Sequence, residues 1–374
     1  MHPSARAALR HFPLIGRPRP ACPSLPERIK VVTDAVQAAA EKAEGGMHDA
    51  AHALNKAALI ASDGGHPDLA RQLCWQHINA YRQIGRQLTY LEARYLLEPV
   101  HNLARQQIRA DHGSPALRLL EAMHRAITGN RNLVVDTRTL PTADLTGDRR
   151  DKEMLHRWIW LQLVGDGVRA LALGDRWTQA ADHARRHNGV GDHLLEGRQA
   201  AIIAHIIDGD RDQGRELLSR STPTEPWERD VIPCLHAVIA DLHAGTAAQH
   251  LDTAAARYRA TPNTGRPSYR AQFGLTIATL ATALEPEKGI DILGLVADEA
   301  VASADGYAAR DVAKHSSAAS GLTDQQAKQL NELAAESGLG FDAFPGSAQR
   351  ELVSAAREAT HRLAFALKVH NQHP

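Results

Sequence analysis

The 374-residue chain reads as an all-α fold, an α-solenoid of stacked helical hairpins with a helical C-terminal cap. Three observations predict it. From Pro26 onward, apolar residues recur at i, i+3, i+4 and i+7, the period of a helix buried along one stripe. Alternating apolar–polar runs of strand length are nearly absent. Five segments share one layout of a helix, a glycine turn and a second alanine-rich helix. A lone hairpin cannot bury its own apolar face, so such units must stack on one another.

In chain order, residues 1–26 hold six prolines, four arginines and no acidic residue, which predicts a disordered or loosely docked arm. Helical repeats are expected over 27–260. Val32, Ala35, Val36 and Ala39 make one apolar stripe; Leu119, Leu120, Met123 and Ile127 make another. The five repeating segments turn at Gly65, Gly113, Gly174, Gly209 and Gly245, with spacings of 48, 61, 35 and 36 residues. Small residues such as Ala70, Ala170 and Ala181 let paired helices approach, and glycine allows the tight reversal. A polar insert at 128–152 separates the second and third segments, carrying Asp136, Arg138, Asp144 and Asp148–Asp151. Long connections of this kind are often functional, here as a lid or docking loop. The simpler alternative is a solvated insertion with a short strand at Leu133–Val135. The stretch Thr261–Pro267 ends the regular array. Helices near 268–284, 286–303, 323–337 and 347–370 then complete a C-terminal region over 261–374.

The last two spacings match the 34-residue tetratricopeptide period. The stretch Ala170-Leu171-Ala172-Leu173-Gly174-Asp175-Arg176-Trp177, followed by Ala180, Ala181 and Ala184, resembles that family's consensus. Over roughly 47–310 the chain is similar to helical-repeat proteins of actinobacterial type, including sensor halves of regulators. The resemblance implies that a peptide, protein or small signal is bound in a concave groove. Such regulators usually carry an N-terminal helix-turn-helix domain, which the proline-rich start cannot supply.

Composition narrows the function. Lys+Arg and Asp+Glu are 43 each, so the chain lacks the basic excess a nucleic-acid binder uses to displace counterions; no direct nucleic-acid partner is expected. No apolar run reaches the length of a membrane span, and the Arg- and Pro-bearing start is no secretory signal. Cys22, Cys74 and Cys234 are few, odd and dispersed, which suits a reducing interior. A cytoplasmic protein without membrane partner is the expectation, with a homodimer as one possible assembly.

Metal and catalytic motifs are weak. His48/His52 and His183/His187 are i,i+4 pairs but lack the glutamate of HExxH. His236, His243 and His250 recur every seven residues, interrupted by Gly245. Glu121/His124, Glu153/His156 and Glu358/His361 repeat the Glu-x-x-His form of di-iron bundles, yet fall on segments not expected to face one another. Asp208-Gly209-Asp210 opens like a calcium loop but lacks its later ligands, so it reads as a turn. Neither a G-x-S-x-G elbow nor a phosphate loop occurs. No metal and no cofactor are expected.

In such solenoids the first helix of each hairpin faces the groove, and polar residues there are the binding candidates. They are Asn55; Asn102 and Arg105; Gln162, Asp166 and Arg169 at i, i+4 and i+7; and Arg198 with Gln199. Arginine and asparagine suit a peptide backbone or carboxylate. Trp158 and Trp160 head the third segment's first helix, and Trp75, Trp177 and Trp227 are scattered over other repeats. A tryptophan at a groove mouth can be an anchor, but packing between hairpins is the favoured reading. The favoured function is non-catalytic binding of a peptide, partner protein or small signal, in bacterial regulation or specialised metabolism. The alternative is an all-α enzyme tailoring a peptide or metabolite, with 128–152 as its lid.

Overall fold

The computed structural model describes residues 1–16, 19–42, 46–82, 84–240, 245–261, 265–316, 321–340 and 344–369. The described residues form seventeen helices and one small sheet. In order these are α1 (Pro3–Leu9), α2 (Leu25–Glu41), α3 (Met47–Asp63), α4 (Pro67–Tyr81), α5 (Tyr90–Arg109) and α6 (Gly113–Thr128). An antiparallel hairpin follows, β1 (Leu133–Val135) and β2 (Arg138–Leu140), and then α7 (Arg149–Leu173), α8 (Trp177–Arg186), α9 (Glu196–Ile207), α10 (Arg211–Ser219), α11 (Pro226–Ala240) and α12 (Gly245–Ala260). The chain ends in α13 (Pro267–Thr282), α14 (Pro286–Ala302), α15 (Gly306–Ser316), α16 (Asp324–Glu336) and α17 (Gly346–Val369). The fold is all-α, as periodicity predicts. Among the described residues no helix is long and apolar enough to cross a membrane.

Two compact units divide the chain: Ser24–Ala170 with Gly338–Pro374, called the first unit below, and Met1–Pro23 with Leu171–Ser337, the second. In the first, successive helices α2 to α6 pack each on the next, and α17 lies against α2, α3 and α4. One apolar core runs through it, from Val32 and Val36 of α2 to Leu120, Met123 and Ile127 of α6 and Leu352 and Leu363 of α17. The second unit pairs α9 with α10, α11 with α12, α13 with α14 and α15 with α16. Its centre holds Tyr258, Phe273, Tyr269 and Trp227, with neighbouring rings about 6 Å apart. The region expected as one C-terminal piece over 261–374 is thus divided: α13–α16 belong to the second unit and α17 to the first. The alanines of α3 (Ala50, Ala53, Ala57, Ala61), all fully buried, leave room for α17 to approach closely.

The hairpin turns show why glycine alone does not mark them. In four turns one residue adopts the left-handed conformation: Gly65 (φ 76°), Asp111 (φ 60°), Asp175 (φ 57°) and Gly209 (φ 87°). The next residue then donates its N–H back across the turn, His66 to Ala61 (2.9 Å), His112 to Gln107 (2.8 Å), Arg176 to Leu171 (2.9 Å) and Asp210 to His205 (2.8 Å). The same C-terminal cap closes all four of these turns. Gly113 and Gly174 are therefore neighbours of the reversing residue, which is an aspartate, a residue that tolerates this region by local hydrogen bonding. Asp210 also caps α10 through Gln213 N–H, so the calcium-like Asp208–Asp212 sequence is a turn. The connection before Gly245, residues 241–244, lies outside the described residues, as does His243.

The N-terminal arm differs from expectation. Pro3 stands in the first turn of α1, where its missing N–H costs nothing. Ala5, Ala8 and Leu9 are buried, and α1 packs on α13. Gly16 lies against Trp227, whose Cγ would be 2.2 Å from an added Cβ. Cys22 is fully buried; its N–H donates to Asp305 Oδ2 (2.8 Å) and its carbonyl accepts from Gly306 N–H (2.8 Å) and the Ser337 hydroxyl (3.2 Å). Proline density prevents a long helix, but it does not prevent an extended segment from docking through its apolar side chains. Residues 17 and 18 of this arm, and 262–264 of the break after α12, lie outside the described residues.

Candidate functional site

The groove candidates separate into two groups. Asn55, Asn102, Arg105, Gln162, Asp166 and Arg169 stand on α3, α5 and α7, all in the first unit. There they bond mainly to one another and to nearby residues. Asn55 Nδ2 donates to Glu98 Oε2 (2.5 Å), Asn102 Nδ2 to Asn55 Oδ1 (3.3 Å), and Arg94 Nε to Glu98 Oε1 (2.9 Å). Asp166, 8% exposed, receives His101 Nε2 (2.5 Å) and Arg105 Nε (2.8 Å) on one oxygen, with Arg169 3.7 Å from the other. Burial pushes the Asp166 carboxyl up, but Arg105, the His101 hydrogen bond and Arg169 outweigh it and hold it well below the usual carboxylate range. Burial, assisted by Arg105, holds the His101 imidazole below its ordinary range despite Asp166. At neutral pH His101 is thus neutral and its Nε2–H donates to an ionised carboxylate. Gln162 donates to the Trp158 carbonyl (3.2 Å). These polar groups link the helices, and much of their hydrogen-bonding capacity is already used.

Arg198 and Gln199 are not groove residues. Both are buried on α9, in the second unit. Arg198 donates to the Gly191 carbonyl (2.6 Å), the Leu217 carbonyl (2.8 Å) and the Ser221 hydroxyl (2.7 Å); Gln199 donates to the Leu14 carbonyl (3.3 Å). The cause is that α9 is apolar on nearly every side, with Ala200, Ala201, Ile202, Ile203 and Ile206 all buried, so polar residues within it must satisfy loop carbonyls.

Several of the metal candidates have other partners. His48 Nδ1 lies 2.6 Å from the Tyr95 hydroxyl. Each Glu-x-x-His glutamate pairs with an arginine four residues away on its own helix: Glu121 with Arg125 (3.5 Å), Glu153 with Arg149 (2.9 Å) and Glu358 with Arg362 (2.7 Å). His236 and His250 stack on each other, 4.9 Å between ring centroids.

The insert supplies what the groove candidates do not. Its longest stretch without helix or extended strand is residues 141–148. Leu133, Val135 and Leu140 of the β-hairpin enter the core of the first unit. Its base is closed by Asn130, whose side chain donates to Asp144 Oδ1 (2.8 Å) and accepts the Asp144 N–H (2.6 Å). Its tip is a two-residue loop, Asp136 (φ 49°) and Thr137 (φ 65°), with Val135 paired to Arg138. Two left-handed residues in a row are what a type I′ turn requires. Threonine is an unfavourable choice there, because its branched Cβ crowds the backbone. Such strain is concentrated where a position is under functional demand.

This tip borders a cavity of about 940 Å³ whose other walls are α4 and α17. The outward positions of α4 repeat at helical spacing, Asp68, Arg71 and Gln72, Trp75 and Gln76, then Asn79, while its opposite face, Leu73, Cys74 and Ile78, enters the core. From α17 come Thr360, Ala364, Leu367 and Lys368. Asp136 is the keystone: its carboxylate pairs with Arg71 Nη2 (2.5 Å) and accepts the Trp75 indole N–H (3.0 Å). Arg138 lies over the Trp75 ring, 4.5 Å from its centroid. Gln76 Nε2 donates to the Thr360 hydroxyl (2.7 Å) and ties α4 to α17. The cavity falls in the size range of ligand sites and combines an apolar wall, Ala80, Ile84, Ala364 and Leu367, with convergent polar groups.

Compared with protein-family models, curated proteins and solved structures, the chain matches none.

None of the eight groove candidates lines this cavity. Two sequence signals pointed towards it. Asp136 and Arg138 are conspicuous in the insert, and the β-branched run Leu133-Val134-Val135 marks a short strand just before them. Trp75 was read as packing and does pack, but its indole also anchors the hairpin. Nothing local in the sequence brings in Thr360, Ala364 or Lys368.

Proposed function

We propose that this chain is a non-catalytic helical-repeat binding protein, of tetratricopeptide-like character, that receives a peptide segment of a partner. The receiving site is the cavity between α4, the insert hairpin and α17, in place of the first-helix face. The observation that carries this reading is the Asp136 keystone. A strained two-residue turn is held by an ion pair and an indole hydrogen bond against α4, which preorganises an aromatic, a guanidinium and an apolar wall around one recess. The recess binds without reorganising, and the hairpin acts as a fixed jaw, its strands being rooted in the core.

The enzyme alternative finds less support. Of the carboxylates lining the cavity, Asp136 is already engaged by Arg71 and the Trp75 indole, and Asp68 stands in the first turn of α4, where the helix N-terminus favours its ionised, weakly basic form. Of the three cysteines, all buried, Cys74 has its thiol pushed up to about 12 by burial.

Filling the recess tests the reading. Peptides selected from a random displayed library against the full chain are measured on wild type and on Ala364→Trp, which places an indole in the cavity from a half-exposed position on α17. The expected result is an affinity loss of about tenfold or more, equivalent to roughly 1.4 kcal/mol, with helicity and melting temperature unchanged. Equal affinity for both proteins would place the site elsewhere.

A further inference from the structure

The cavity's charges are unevenly committed, and that imbalance specifies a ligand. Five charged residues line it: Arg71, Arg138 and Lys368, Asp68 and Asp136. Arg71 and Asp136 neutralise each other at 2.5 Å. Asp136 could also have paired with Arg138, two residues away, but its second oxygen is taken by the Trp75 indole. Arg138 is instead laid on the Trp75 ring. Among the described residues no carboxylate pairs with Arg138 or with Lys368. Asp68 sits in the first turn of α4, where the helix N-terminus favours a carboxylate.

A guanidinium held over an indole face still has N–H groups at its edge that can donate to the two oxygens of a carboxylate. Its orientation is set before the ligand arrives, so little side-chain freedom is lost on binding. The apolar wall, Ala80 and Ile84 with Ala364 and Leu367, accepts the group next to that carboxylate.

We infer that the cavity selects an acidic–apolar peptide segment: a carboxylate, from an Asp or Glu side chain or a chain terminus, received by Arg138 and Lys368, beside a bulky aliphatic side chain on the apolar wall. This rests on the reading of the cavity as a peptide site. The Trp75 indole N–H is the reporter in a ¹⁵N spectrum of the full chain, assigned by Trp75→Phe. Three probes are titrated to millimolar concentration: acetyl-Leu-Glu-Leu-amide, its uncharged counterpart acetyl-Leu-Gln-Leu-amide, and acetyl-Leu-Gln-Leu with a free C-terminus.

The Glu peptide, the free-terminus peptide or both are expected to reach half-saturation at about tenfold lower concentration than the uncharged one. Which of them does so identifies the source of the carboxylate. Arg138→Gln, on the exposed hairpin tip, is expected to erase the preference, and Lys368→Gln, on the last turn of α17, to reduce it. Equal midpoints for all three peptides would overturn the carboxylate selection and leave the cavity reading standing. A preference that survives both substitutions would overturn the assignment to these cations. A Trp75 signal unmoved by every probe would overturn the cavity reading itself.

Discussion

Asp166→Ala is expected to destabilise the first unit by about 2–3 kcal/mol, because it leaves the buried His101 Nε2–H without its acceptor and the partly exposed Arg105 and Arg169 without their counter-charge. Arg105 and Arg169 would then face each other across a void, and His101 would lose the acceptor for its Nε2–H. Urea unfolding at neutral pH measures the loss. The pH dependence has a definite sign. A carboxyl whose folded pKa is depressed contributes stability above its unfolded pKa, near 3.9, and loses it as pH falls through the folded value. Since Asp166 is held well below the carboxylate range, the gap between wild type and Asp166→Ala should be constant down to about pH 4 and narrow only below it. If the variant unfolds within about 1 kcal/mol of wild type at neutral pH, the polar ladder of α5 and α7 is not structural cement. Those side chains would then return as ligand-binding candidates.

Asp305→Ala is expected to cost the second unit about 2–4 kcal/mol, the sum of a lost helix cap and an orphaned buried N–H. Its carboxylate is 2% exposed and holds both Ala308 N–H at the start of α15 (2.9 Å) and Cys22 N–H in the arm (2.8 Å). Tryptic cleavage in the arm, at Arg6 or Arg10, should accelerate in parallel. Asp305→Asn, which retains one carbonyl acceptor, should recover part of both effects. A loosely attached arm, as the composition suggests, would show only the cap loss of about 1 kcal/mol and unchanged cleavage.

The helices were legible in the sequence because their signal is local. The stripe Leu120, Met123 and Ile127 is buried on α6, and Val32, Val36 and Ala39 on α2, as the period requires. The strand at Leu133–Val135 is likewise legible from its β-branched residues, whereas its partner Arg138–Leu140 carries no such local signal. The arm was misjudged because composition measures what a segment cannot form, whereas docking depends on a few residues such as Phe12, Leu14 and Cys22. The short helix α15 was missed between two better-marked ones. Arg198 and Gln199 misled because a polar residue on a helix can face a groove or satisfy a buried loop, and sequence spacing does not distinguish the two. The cavity as a whole was beyond local reading, since Arg138 and Lys368 are 230 residues apart and line one recess only through the packing of α17 on α4.

The ¹⁵N spectrum of the full chain with a bound library-selected peptide tests the central claim most directly. The five tryptophans, Trp75, Trp158, Trp160, Trp177 and Trp227, give five indole signals that act as one another's controls. A peptide held between α4, the hairpin tip and α17 should shift the Trp75 indole well beyond the other four, because that N–H is bonded to Asp136 in the cavity wall. A saturating peptide that leaves Trp75 in place while moving Trp158 or Trp160 on α7 would contradict the account and move the site to the polar face of the first helices.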